Sequence, residues 1–499
     1  LHLPHSALFR MAPIAPTLHA PLAAKGIASG SLLSEAETAV GPSEAAASLT
    51  PMSQQSARAL QLQEPLCQQG DDVAVPLSPL KATFALTQCI LGAGVLALPF
   101  AIRSAGFAGG FGLLGLVYIL TVFSMGALVF LANEMGEFSY KGQAVKAFGQ
   151  RWSTFFEAWV LCYTLGICIG YPILLGDFLS AIARAIGLST ALFTPTLCMI
   201  VTVLAICWPF SCAPSLGALG KISIFGVLFV SSTVVVVMLR FSDGSYPKGT
   251  TETHWLNTEE FGSCFPILVG AFGAHFSIPS LYKEMAPMAG DGDFAFSTEA
   301  RAAVRRTLLV IFSALTLCAA VYSSVGAVVY CLFGNMTHAD FTENFREDDR
   351  MIIFVRGTMA FSLCISFPLV MLSARNSFYN LILKPRGWRE SNRLRIMLAT
   401  ALVFFCLGLA LVAGGNLGVV LTYNGSVFGT PVCYIAPGIM YLQLPRSSQK
   451  PVWRWAAAIT ATCGIVFGIF GVYQATVQSL APPPPHPAVA LVPVLAVPR

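Results

Sequence analysis

The chain has 499 residues, of which 55% are hydrophobic and only 11% charged, with a mean hydropathy of +0.70 and a net charge of +5. A soluble domain carries about 25% charged residues, so this chain lacks the polar surface to cover the roughly three or four globular domains its length would allow. A soluble multidomain protein is excluded, and the small positive balance is what a polytopic membrane protein acquires in its loops, with no nucleic-acid partner implied.

Residues 1–78 are rich in Ala, Pro, Ser, Leu and Gln and lack a sustained apolar run, which predicts a disordered tail. The sequence starts at Leu1, so an upstream start and a start at Met11 both fit; no charged, apolar, small-residue order of a cleaved leader is expected there. From Ala481 the run Pro482 to Pro485 opens a second, Pro-rich tail over 481–499.

Between the tails, 79–480 is a membrane domain. Apolar stretches of a length that crosses a bilayer as a helix recur near 82–103, 107–132, 154–177, 191–210, 221–239, 261–282, 307–333, 351–383, 394–413, 416–441 and 452–474. That predicts about eleven spans, with the last pair before the end divided only by Gly414-Gly415-Asn416. With the N-terminus cytoplasmic, the inner loops hold about sixteen Lys and Arg and the outer ones about six, the positive-inside bias. The acidic run Glu343 to Asp349 and the sequon Asn335-Met336-Thr337 then fall outside. Most of the fourteen cysteines lie in apolar runs, without CxxC or zinc spacing, and read as packing thiols.

Two spans carry helix-breaking patterns. In the first, Gly92-Ala93-Gly94 precedes Pro99; in the sixth, Gly270-Ala271-Phe272-Gly273-Ala274-His275 precedes Pro279. Small residues also serve helix packing, but matching breaks in the opening helices of two five-helix halves point to an inverted-repeat transporter. Unwound backbone inside a membrane persists where it lines a site. Freed amides at a half-helix N-terminus suit a carboxylate, and freed carbonyls suit an ammonium or a metal cation, so a zwitterionic amino acid meets both demands.

The run Gly92-Ala93-Gly94-Val95-Leu96-Ala97-Leu98-Pro99-Phe100-Ala101 resembles the first-helix signature of the amino acid/auxin permease family, which includes vacuolar and sodium-coupled neutral amino acid transporters. Gly166 to Tyr171 with Gly176-Asp177, Trp208-Pro209-Phe210, Ala271-Phe272 with His275 and Tyr282-Lys283-Glu284, and Phe367-Pro368-Leu369 with Arg375 follow in the family's order, over about residues 80 to 475. The resemblance implies an all-α polytopic fold of eleven helices: a five-plus-five inverted repeat of the LeuT type and one extra helix.

The expected substrate site is Gly92, Ala93 and Gly94, whose amides meet the carboxylate, with Phe272, Gly273 and Ala274 facing them. His275 is an ionisable residue inside an apolar span and a candidate proton relay, or else a neutral histidine bonded to a neighbour. Sodium-coupled members of the family bind the ion through an asparagine on the first helix and a hydroxyl on the eighth. The matching positions here are Gln88 and Ser366 or Ser362, and the longer amide places its oxygen differently. Sodium coupling, proton coupling and exchange therefore stay open. No other metal and no organic cofactor is expected.

Asp177, Arg375 and Glu284 stand at span ends, as vestibule or gate charges or as plain interfacial residues; Tyr163 and Tyr171 are pocket walls or core; Trp453 and Trp455 are interfacial anchors. A membrane-embedded enzyme acting on a lipid or other small substrate is the alternative, but no HExxH, GxSxG or phosphate loop is present and His275 is the one histidine well inside a span. A channel filter would repeat, and none does. The reading is a secondary transporter of amino acids working by alternating access, multi-pass in a plasma or vacuolar-type membrane, with the bilayer and a small molecule as its partners and no obligate protein partner evident.

Overall fold

The computed structural model describes residues 77–212, 217–246, 252–286, 298–413, 417–446 and 449–480; the Gly414-Gly415-Asn416 divider and the expected tails, apart from residues 77 and 78, lie outside these. The described residues form helices and connecting turns. In chain order they are α1 (Pro79–Leu91), α2 (Gly94–Met135), α3 (Tyr140–Phe148), α4 (Gln150–Ala185), α5 (Pro195–Ser211) and α6 (Gly217–Ser242). There follow α7 (Phe261–Ala271), α8 (Ile278–Met285), α9 (Thr298–Phe333), α10 (Arg350–Phe378) and α11 (Asn392–Ala413). The last two are α12, running from Leu417 through two π-turns to Leu442, and α13 (Pro451–Leu480).

Nine described helices are long and apolar enough to cross a membrane. The count reaches eleven for two physical reasons. Pro195–Ser211 is a shorter apolar helix stretched by a π-turn over Val203–Cys207. The 42-residue α2 holds two crossings, because Gly106 stands at φ +77°, a conformation that favours glycine, and turns the chain without a loop. Its tight seat against His254 and Trp255 leaves no room for a Cβ either. Span 1 is thus α1 plus the start of α2, span 2 the rest of α2, spans 3 to 5 are α4 to α6, span 6 is α7 with α8, and spans 7 to 11 are α9 to α13.

The packing repeats itself. Span 1 packs on spans 5 and 7, and span 6 on spans 10 and 2; span 3 packs on span 8; span 8 meets span 5 as span 3 meets span 10. Exchanging spans 1–5 with 6–10 maps this pattern onto itself, the arrangement expected of two five-helix repeats of opposite sense. Span 6 is central, with 83% of its apolar window buried, whereas span 11 is peripheral at 33%. Phe225, Leu228, Phe404, Phe405, Val412 and Ile469 stay exposed on outer spans, the apolar belt that lipid covers.

Local chemistry sets the ends. Ser78 caps α1 ahead of Pro79, and Asp349 caps α10 by accepting from the amides of Met351 (3.0 Å) and Ile352 (3.4 Å). The short α3, capped by Ser139, connects spans 2 and 3 on the face rich in Lys and Arg, here called the basic face. On the opposite face Arg240 pairs with Asp349 while Arg103 at the end of span 1 pairs with Glu260 at the start of span 6. The sequon there is engaged: Asn335 Nδ2 bonds to His254 Nε2 at 3.0 Å and Thr337 is buried.

Candidate functional site

Spans 1 and 6 both lose their helix midway. In span 1, α1 ends at Leu91, Gly92 adopts φ −39° and ψ −124°, and helix resumes at Gly94 after Ala93. Leu96 bonds back to the Ala93 carbonyl at 3.2 Å, which leaves the first amides of α2 without an intrahelical acceptor, as at any helix start. In span 6, α7 ends at Ala271, Phe272 to Ala274 form the break, and a tight turn over His275–Ser277 leads into α8. Of the expected break residues, Gly94, Gly270 and Ala271 are helical, His275 opens the tight turn, and Gly92, Ala93 and Phe272 to Ala274 lie in the two interruptions.

The interruptions meet. A Cβ on Gly94 would stand 2.8 Å from the Ala271 Cα and 2.8 Å from the Tyr322 hydroxyl. Tyr322, on span 7, reaches the Ile90 carbonyl at 2.9 Å and the Ala271 carbonyl at 2.8 Å, one from the last turn before each break. Its ring meets that of Phe272 edge-on at 5.1 Å. One hydroxyl proton thus serves two carbonyls.

Span 3 covers the breaks. The Tyr171 hydroxyl stands over Gly92, 2.5 Å from where a Cβ would lie, and within bonding reach of the Ala93 amide. The Tyr163 hydroxyl occupies the space beside Gly273 and donates to its carbonyl at 3.3 Å. Gly92, Ala93 and Phe272 to Ala274 are buried. On the side away from the basic face, Val95 to Pro99 and Gly262 to Val269 are buried without a gap. On the basic side, Cys89, Ser277 and Leu281 stay partly exposed, with the Cys89 thiol within reach of the Ser277 hydroxyl.

The expected ion-site residues also come together. Gln88 Nε2 donates to Ser362 Oγ (2.8 Å), Ser366 Oγ (2.9 Å) and the Ser362 carbonyl (3.3 Å), all within the core. The Gln88 side-chain oxygen is turned toward Gly226 on span 5 and has no partner among the described residues. A backbone carbonyl can only accept, so it fixes which end of the amide faces the hydroxyl pair.

His275 lies elsewhere. Fully buried, its Nε2 shares a 2.7 Å hydrogen bond with Ser124 Oγ of span 2, while Nδ1 has no partner among the described residues. The ring sits edge-on to Tyr434 of span 10, whose hydroxyl bonds to Thr121 at 2.9 Å.

At the face opposite the basic one, the loop between spans 7 and 8 brings Asp340 and Glu343 near Asp177 and Arg356. Burial, then the Glu343 charge, pushes the Asp340 carboxyl up to about 7, and burial followed by Asp177 raises Glu343 as well. Nearby, Arg103, Asn257, Glu260 and Asn335 line a cavity of about 430 Å³. Arg375 donates to the Ser211 carbonyl at 3.2 Å, Trp453 stacks on Phe123 at 5.7 Å, and Trp455 is largely exposed.

Two buried residues lie outside the sequence-based set. Tyr322 carries no local signal, being one tyrosine among many in apolar spans. Glu157 did carry one, as an acid inside the predicted 154–177 crossing, and it is buried at 4% exposure near the basic end of span 3.

Comparison with known proteins agrees with this architecture. The family model described as transmembrane amino acid transporter protein matches residues 76–479. Vacuolar amino acid transporter 5 of Schizosaccharomyces pombe is 26% identical over 377 residues, covering 73% of this chain and 84% of that protein. Vacuolar amino acid transporter 2 of Saccharomyces cerevisiae is 24% identical over 385 residues, covering 74% and 76%. Sodium-coupled neutral amino acid transporter 7 of Xenopus laevis is 24% identical over 429 residues, covering 81% and 90%. These relatives are named as transporters, so the membrane-enzyme alternative falls away. The chain is a multi-pass membrane protein and belongs to the transmembrane amino acid transporter family, the amino acid/auxin permeases.

Proposed function

We propose that this chain is a secondary transporter of amino acids that works by alternating access, with its transport domain at 79–480 and its basic face toward the cytoplasm of a plasma or vacuolar-type membrane. The observation that carries the reading is the meeting of two broken helices at Gly94 and Ala271 under one shared hydroxyl. The substrate carboxylate takes the amides that open α2, around Gly92, Ala93 and Gly94, where the helix dipole is positive. The ammonium takes carbonyls of the span 6 break, among Phe272, Gly273 and Ala274. Tyr163 and Tyr171 withdraw their hydroxyls as the ligand enters. Entry from the basic face is supported by the partly exposed Cys89 and Ser277 below breaks that are sealed on the other side. Counterflow of radiolabelled amino acids into proteoliposomes tests this: exchange of at least one of the twenty is expected, and its absence for all of them removes the reading.

The coupling ion follows from Gln88. A sodium ion needs several oxygens at defined distance. Here an amide nitrogen, a donor, already occupies the space between Ser362 and Ser366, and the amide oxygen faces away. The arrangement does not fit sodium, so transport is proposed to be sodium-independent. Uptake should be unchanged when choline replaces sodium, and a strict sodium requirement would overturn this. Among the described residues the polar and ring contacts of His275 are with a hydroxyl and an aromatic ring, which favours a neutral, structural imidazole.

A further inference from the structure

We propose that Glu157 is the proton-carrying group of the transport cycle, exchanging its proton at the basic face under the control of Lys141. This rests on the transport reading above.

Glu157 stands two turns into span 3 with its side chain almost wholly buried, yet no ion pair is formed by it among the described residues. Its carboxyl is within bonding reach of two neutral side chains of the span 8 end, Ser377 and Asn380. The nearest cation is held back: Lys141, on the short helix α3, donates its Nζ to the Asn380 backbone carbonyl at 2.6 Å. The other titratable groups facing this corner are Tyr140, whose hydroxyl donates to the Val432 carbonyl at 2.7 Å, Cys433 beside it, and Lys384, which acts on Lys141.

A buried carboxylate without a partnered cation is costly, whereas its protonated form, bonded to a hydroxyl and an amide, is not. The arrangement has two self-consistent states. With Lys141 on Asn380, Glu157 holds its proton. With Lys141 moved onto Glu157, the O–H bond breaks, the proton passes to water at the basic face, and the carboxylate is paired. Nothing is oxidised or reduced.

The same two spans connect this corner to the substrate. Span 3 carries Tyr163 and Tyr171 over the two breaks, and span 8 carries Ser362 and Ser366 beside Gln88. Six residues of helix, about 9 Å, separate Glu157 from Tyr163. Loading or unloading the proton therefore acts on the span 3–span 8 contact that walls the site.

The test uses the full chain in proteoliposomes containing a pH-sensitive dye, with the amino acid that wild type exchanges best. Wild type is expected to acidify or alkalinise the lumen with amino acid flux, and to accumulate substrate about tenfold across a one-unit pH gradient. Glu157→Gln is expected to keep counterflow at equal pH but lose both proton flux and accumulation. Accumulation retained by Glu157→Gln, or wild-type flux without protons, overturns the proposal while leaving the transport reading intact. Absence of wild-type counterflow overturns both. Lys141→Gln supplies the second readout, should Glu157→Gln fail to fold: losing the cation should move the midpoint of the pH profile upward, and an unmoved midpoint counts against the switch.

Discussion

Gly94 and Ala271 stand back to back, so close that a single added carbon on the glycine would lie 2.8 Å from the alanine Cα. This contact joins the halves of the molecule at their two weakest points. Gly94→Ala must push span 1 off span 6, and misplacement of about an ångström at a binding site costs about a hundredfold. Gly94→Ala is therefore expected to cut counterflow by about that factor and Gly94→Val to abolish it, with both variants reaching the membrane by surface labelling. Normal counterflow by Gly94→Val would remove the site.

Tyr322 offers a cleaner perturbation, because Tyr322→Phe keeps the ring against Phe272 and deletes only the hydroxyl. Two buried carbonyls then lose a donor, at about 1–3 kcal/mol each. A thermal midpoint lowered by several degrees in detergent is expected, together with slower counterflow. An unchanged midpoint would mean that water serves Ile90 and Ala271 equally well.

The Asp340 loop gives a pH dependence with a definite sign. Its carboxyl is raised from 3.8 to about 7, so between these values the folded protein holds a proton that the unfolded chain has lost. Its contribution to stability is full in acid and fades as pH rises toward 7. Glu343 acts in the same direction, and His338, lowered by burial and then by Arg103, in the opposite one. The difference between wild type and Asp340→Asn isolates the effect: the thermal advantage of wild type should shrink on going from about pH 5 to about pH 7.5. A constant difference would refute it.

Accessibility separates the two faces. A membrane-impermeant maleimide applied from the basic side should label Cys89, read by peptide mass spectrometry, and saturating substrate should slow the labelling. Labelling only from the other side would reverse the assignment of the entry path.

How much of this was written in the sequence depends on range. Gly92, Ala93, Gly94 and the Phe272–Ala274 break were legible because glycine and proline act on their own backbone. The meeting of Gln88 with Ser362 and Ser366 was legible through the matched family positions, but not its polarity, since only the Ser362 carbonyl in three dimensions decides which end of the amide faces the hydroxyls. Tyr322 and the Lys141–Asn380 bond were hidden, as each joins segments far apart in the chain. Eleven crossings were countable from apolar length. The join of spans 1 and 2 into one helix was not, because it hangs on a single glycine at φ +77°.

That join has a mechanical corollary. The outer arm of the first crossing and all of the second form a bent lever with Gly106 as its elbow, wedged against the 254–255 backbone. Whatever tilts one arm drags the other, so the first crossing cannot tilt without carrying Ser124, and with it the bonded His275, through the same arc.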